Sequence, residues 1–245
     1  MKIVTCVLAG LAICCFASSR AARAEEGKKD ESIWTGAAVD ADGKKLAEVT
    51  VDTTDAPDLA DWGKQAGQLC VEWYPKIIKL LDSDGFKPYR TVKVHIGKHN
   101  GIAATGGNTI NINADYVRNH KDDLGMVAHE LTHVVQAYHT RGNPGWLVEG
   151  IADYVRLSHY EPKARRPRID PDRAKYTDAY KTTAIFLEWS ENKYDKELVK
   201  QLNAAMRKGN FKEELFKQYT GKTVDELWKE FADSLRANKQ PVKSS

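Results

Sequence analysis

Cysteine is nearly absent from most of this 245-residue chain: three of its four cysteines, Cys6, Cys14 and Cys15, fall within the first 24 residues. Beyond them only Cys70 remains, so no disulfide can form within that part and a disulfide-stapled fold is excluded. Stability there must come from core packing. Cys70 lies in an apolar stretch with helical spacing, which favours a buried, inert thiol. Long hydrophobic runs are missing as well. Residues 3–16 form an apolar run of 14, short of the ~20 that a spanning helix needs. With Lys2 before it and Ala22-Arg23-Ala24 after it, the run has the layout of a secretory signal peptide over residues 1–24; a short membrane anchor is the competing reading. An excess of one charge is the third absence. Of the 37 basic residues, Lys2, Arg20 and Arg23 belong to the leader, and the remaining 34 balance the 34 acidic ones. Whole-chain charge therefore gives no argument for nucleic acid or an anionic membrane as partner. Internal repeats and low-complexity tracts are lacking too.

What is present divides into two halves. Ala47-Val49-Val51, Val92-Val94-Ile96 and Ile110-Ile112-Ala114 alternate with polar residues, the pattern of half-buried strands. Between the first two, Leu59, Trp62, Ala66, Leu69, Trp73, Ile77 and Leu80 recur every three or four residues, predicting an amphipathic helix with Pro75 inside it. From about residue 124 the chain reads as helices over 122–138, 144–159, 172–189, 196–208, 212–218 and 224–236. Asn143-Pro144 suits an N-cap followed by proline at the first helical position, and Thr223 with Glu226 suits a capping box. The expectation is an α+β domain over 34–236, a small mixed or antiparallel sheet followed by a helical half. A charged, flexible lead-in (25–33) precedes it and a flexible tail (237–245) follows. The basic segment 163–168 reads as a solvated loop.

The chemistry concentrates in Ala128-His129-Glu130-Leu131-Thr132-His133. Apolar residues at 124, 127, 131, 134, 135 and 138 keep helical spacing, and four residues return a helix to nearly the same side about 6 Å further along. His129 and His133 can therefore share one metal ion, for which neutral imidazoles favour zinc. Glu130, rotated off that line, can act as general base toward water. Two solvated histidines beside a glutamate would be the bland alternative, but a solvated face does not fit so apolar a segment.

A catalytic zinc needs a third protein ligand. His139, six residues after His133, is one candidate, but Gln136 stands where a chain-turning glycine would be wanted. On a continuing helix His139 would lie about 240° away from His133. Glu149 is better placed, on the next predicted helix after the turn residues Gly142, Asn143, Pro144 and Gly145. Asp153 follows one turn later, positioned to accept a hydrogen bond from a ligand histidine; capping or pairing at a surface is its default alternative.

These segments resemble the plant basic secretory protein family and its bacterial relatives. The likeness rests on residues 129–136 and 149–156, on 180–187, and on 216–228, and spans roughly 47–235. It implies a gluzincin-like, zincin-type metallopeptidase fold with two histidines and a glutamate on zinc. It further implies that the strand before the motif helix, 109–117 here, is the edge along which a peptide lies. By the same resemblance Tyr180 steadies the oxyanion; a core tyrosine with a satisfied hydroxyl competes with that role. The cysteines and basic charge of the plant relatives are not shared.

Together these features lead to the expectation of an exported zinc metallopeptidase, periplasmic or extracellular, using Zn2+ on a peptide or protein substrate. No nucleic-acid partner is expected, and no membrane once the leader is cleaved. The rival class is a secreted metal-containing binding or defence protein without turnover, against which the intact Glu130 argues.

Overall fold

The computed structural model describes residues 31–139 and 142–239; the leader, residues 25–30 of the lead-in and residues 240–245 of the tail lie outside the described residues. Strands β1 (Ile33–Val39), β2 (Lys45–Asp52), β3 (Thr91–Gly97), β4 (Ala103–Gly106) and β5 (Thr109–Asn113) form one mixed sheet in the order β1-β2-β3-β5-β4. The three inner strands run parallel, and β1 and β4 pair antiparallel at the two edges. Ala47, Val49, Val51, Val92, Val94, Ile96, Ile110 and Ile112 are buried on one face, while the residues between them stay at least partly accessible. That period-two burial is why these segments are strands with a single core face.

Two parallel strands need a crossover, and between β2 and β3 it is helix α1 (Ala60–Leu80). Trp62, Ala66, Leu69, Cys70, Tyr74 and Ile77 line its buried stripe, and Pro75 lies within it. Its approach to β1 is close: a Cβ on Gly67 would lie 2.2 Å from Trp34 Cε3, so only glycine lets the helix lie flat there. The chain then passes through α2 (Ala114–Asn119) into α3 (Gly125–Gln136), which packs against α1 and beneath β4 and β5.

The helical half comprises α4 (Gly145–Tyr154) with a π-helical turn at Val155–Tyr160, α5 (Tyr180–Lys193), α6 (Leu198–Arg207), α7 (Glu214–Thr220) and α8 (Val224–Lys239). Phe186, Trp228 and Phe231 stack edge-on or tilted at its centre, with centroids 5.3–5.8 Å apart. Thr223 and Glu226 form the expected capping box: Thr223 N donates to Glu226 Oε2 at 2.7 Å and Glu226 N to Thr223 Oγ1 at 3.2 Å. Among the described residues, no helix is long and apolar enough to cross a membrane.

The α+β class and the order of sheet then helices hold; several local expectations do not. The segment 109–117 is not an edge strand. Its first five residues are β5, which has partners on both sides, and the rest is α2, capped by the Asn113 side chain. The free edge beside α3 belongs to β4, whose Ala-Ala-Thr-Gly sequence has no buried residue to betray it. Strand β1 was equally invisible, burying only Ala38. It begins at Ile33, and Ser32 O accepts from Thr53 N and Oγ1, so the lead-in is already tied to the sheet there. Helix α3 stops at Gln136 because Ala137 takes a left-handed backbone (φ 45°). The helix expected over 172–189 starts only at Tyr180, since Ala179 (φ 63°) and Tyr180 (φ 47°) are both left-handed. Asn143 does not cap α4; its Nδ2 donates to Met206 O on α6, and Pro144 occupies the cap position. Helix α8 runs three residues beyond 236.

Candidate metal centre

His129 and His133 project from the same side of α3, with Nε2 atoms 3.1 Å apart. From α4, Glu149 Oε2 approaches to 3.2 Å from His129 Nε2 and 3.4 Å from His133 Nε2. Among the described residues these three are the one set of His, Cys, Asp or Glu donors close enough together to hold an ion. His139 is not among them; the turn at Ala137 carries it away, and its ring packs edge-on against Tyr89.

Each imidazole is held from behind. Asp153 Oδ1, on a buried side chain, accepts from His129 Nδ1 at 2.7 Å. Gln136 Oε1 accepts from His133 Nδ1 at 2.6 Å. With both Nδ1 atoms donating, both neutral rings turn an Nε2 lone pair toward each other and toward the Glu149 carboxylate. Three converging lone-pair donors repel one another unless a cation or a proton sits among them. Burial opposes charging His129, but the hydrogen bonds to Asp153 and then Glu149 outweigh it and raise its pKa to about 9. Burial likewise favours neutral Glu149, and the contacts with His129 and His133 overcome it, lowering its pKa to about 2.

Glu130 is buried at 7% exposure beside His129. Thr105 of β4 lies over it, its Oγ1 2.7 Å from Glu130 Oε2 and 3.1 Å from Glu130 O. Tyr180 stands across the same cleft, its ring stacked toward that of His129 with centroids 6.1 Å apart. It is 54% exposed, so it is not a core tyrosine. The negative charge of Glu149, then burial, push its pKa up and keep the phenol protonated. The cleft measures about 1010 Å³, lined by Ile102, Ala104 and Thr105 on the β4 side and by Tyr180 and Lys181 opposite.

All six residues singled out from the sequence thus meet around one cleft. His95 pairs with Asp55 at 3.0 Å, and neither it nor His99, His120 or His159 lines the cleft. Cys70 is buried, its thiol pushed up to about 12 by burial. Three residues of the arrangement were missed: Thr105, Gln136 and Arg207. Gln136, three residues after His133 on the same helix, was discoverable from spacing. Thr105 lies on an unrecognised strand. Arg207 reaches α3 from 71 residues away in sequence, Nε donating to Gln136 O and Nη2 to Val135 O.

A family model described as a peptidase of plants and bacteria matches residues 64–231. No curated protein matches the chain. Among solved structures it is similar to a two-domain M1 zinc metallopeptidase mutant bound to L-arginine, at 15% identity and a TM-score of 0.46, with 84% of this chain and 50% of that one covered. It is also similar to an M1 zinc metallopeptidase mutant from Deinococcus radiodurans bound to a Tyr-Ser-Ala substrate, at 15% identity and a TM-score of 0.46, covering 87% of this chain and 53% of that one. The chain spans about half the length of these structures.

Proposed function

From the premise that this chain belongs to the family of peptidases of plants and bacteria, we propose that it hydrolyses peptide bonds at a zinc ion held by His129, His133 and Glu149. The observation that carries this is the spacing of the three donors. Zinc bonds of about 2.0–2.1 Å place neighbouring ligands of a tetrahedron about 3.3–3.4 Å apart. The separations here are 3.1, 3.2 and 3.4 Å. The donor chemistry fits too: two imidazoles and a carboxylate are a zinc set that leaves one position open. When bound, such an ion supplies Lewis-acid polarisation of a carbonyl and of a water molecule.

The remaining tasks fall to this chain's own side chains. Glu130, its carboxylate fixed by the Thr105 hydroxyl, takes the proton from the attacking water and returns it to the leaving amine. Tyr180, held protonated, donates to the oxygen on which charge develops. Asp153 keeps His129 in the tautomer that presents Nε2. The free edge of β4 pairs with an extended substrate backbone, placing a peptide rather than a compact metabolite across the site. Residues 1–24 direct export, and the part that follows, with its folded domain from β1 at Ile33 to the end of α8 at Lys239, acts in a periplasm or the medium.

Replacing Glu130 by Gln tests this assignment. Zinc should remain at one ion per chain while chelator-sensitive cleavage of a peptide library falls at least about a hundredfold. Undiminished cleavage would remove Glu130 from the mechanism. No cleavage by the zinc-loaded native protein would remove the activity.

A further inference from the structure

The two histidines are oriented by unlike groups, a carboxylate behind His129 and a neutral amide behind His133. We propose that Gln136 is the positioning residue of the second metal ligand: its amide oxygen fixes the His133 tautomer, and its amide nitrogen ties that choice to the backbone next to Glu149. The inference deepens the zinc reading and rests on His133 and Glu149 being ligands.

An amide's orientation is defined only when its two ends face partners of opposite kind. Here they do. Gln136 Nε2 lies 2.9 Å from Val148 O, a carbonyl that can only accept. The other end, Oε1, therefore faces His133 Nδ1, and at 2.6 Å that contact requires an N–H on the ring. Nδ1–H leaves Nε2 with its lone pair, directed at Glu149 and His129. Gln136 is 1% exposed, so both bonds are shielded from bulk water. Its backbone is pinned as well: the helix ends at it, and its free carbonyl accepts from Arg207 Nε at 3.2 Å. The side chain thus spans from one ligand on α3 to the residue immediately before the other on α4. A shift of either helix is transmitted to both donors together.

Two substitutions separate the two bonds. Gln136→Met keeps the length and removes acceptor and donor alike. Gln136→Glu keeps an acceptor for His133 Nδ1–H and gives up the donor to Val148 O. Zinc affinity, read by competition with a chromophoric chelator on full-length folded chains, should fall about tenfold to a hundredfold in the Met variant, the usual range for losing such a support. It should fall less in the Glu variant, which keeps the His133 tautomer but loses the tie to Val148 O. Nitrogen-15 NMR of the metal-free native protein, at a pH where His133 is neutral, should show its proton on Nδ1. Native-like zinc affinity in Gln136→Met, or a proton on His133 Nε2, would overturn the proposal. Failure of the native chain to bind zinc would instead remove the ligand reading, and the NMR tautomer would still test the hold of Gln136 on His133.

Discussion

Helix α4 carries Glu149 and Asp153, and it lies closer to α5 than its sequence suggests, through Gly150. A Cβ built there would sit 2.2 Å from Thr183 Cγ2 and 2.7 Å from Thr183 Cβ. Carbon atoms in contact prefer about 3.5–4.0 Å, so the overlap exceeds 1 Å. Thr183 cannot turn aside, because it is fully buried and its Oγ1 donates to Tyr176 O at 2.5 Å. In Gly150→Ala two effects compete. Alanine gains about 1 kcal/mol of helix propensity over glycine, whereas overpacking of this kind costs about 1–3 kcal/mol. With the neighbour locked, the upper part of that range applies, and the metal-free protein should lose about 1–2 kcal/mol in urea denaturation. Zinc affinity should fall as well, since α4 must move relative to α3 and take Glu149 with it. Thr183→Ser in the same background deletes Cγ2 but keeps the hydroxyl bond, and should restore part of both losses. A Gly150→Ala variant more stable than the native chain would mean that propensity alone acts and that the α4–α5 contact does not constrain the site.

Three other outcomes follow from the geometry. Thr105→Val removes the hydroxyl that fixes Glu130 and should lower kcat about tenfold or more while zinc content stays at one per chain, as metal analysis would verify. Arg207→Met strands the carbonyls of Val135 and Gln136 in a part-buried setting, while Leu81 O keeps its bond from Asn203 Nδ2, and should cost about 2 kcal/mol or more by urea denaturation. In the metal-free protein His129 titrates at about 9 against an ordinary 6.5, so its charged form stabilises the fold fully below pH 6.5 and that contribution disappears as the pH rises through 9. Glu149, at about 2 against 4.5, contributes above pH 4.5 and loses its contribution as the pH falls through 2. The leading support for the His129 charge is its hydrogen bond to Asp153, with the one to Glu149 second. Calorimetry should place the highest Tm of the metal-free protein between pH 4.5 and 6.5; a flat profile from pH 6.5 to 9 would refute the buried His129 ion pair. Zinc should reverse the alkaline limb, because it binds only unprotonated imidazole.

The split between what could and could not be read beforehand follows the range of the interactions. His129, Glu130 and His133 were legible because four residues on a helix impose their own geometry, whatever surrounds them. Strands β2, β3 and β5 were legible because a sheet with one buried face writes its alternation into Val49-Val51, Val92-Val94 and Ile110-Ile112. Glu149 required one tertiary step, the turn between α3 and α4, and Asp153 followed from it by helical spacing. The groups that aim the donors were less legible, as they are chosen by packing. Thr105 reaches Glu130 from an edge strand with no buried residue, and Arg207 reaches Gln136 from α6. The misplaced peptide edge has the same origin. β5 enters α2 and α3 directly, which made it the natural candidate, but a strand's neighbours are set by sheet order, and β4 inserts outside it. In this site the histidine pair is fixed by its own helix, whereas Glu149, Thr105 and Arg207 arrive from elsewhere in the fold. Substitutions at Thr105, Gln136 or Arg207 should therefore change its geometry while leaving every residue of the sequence motif in place.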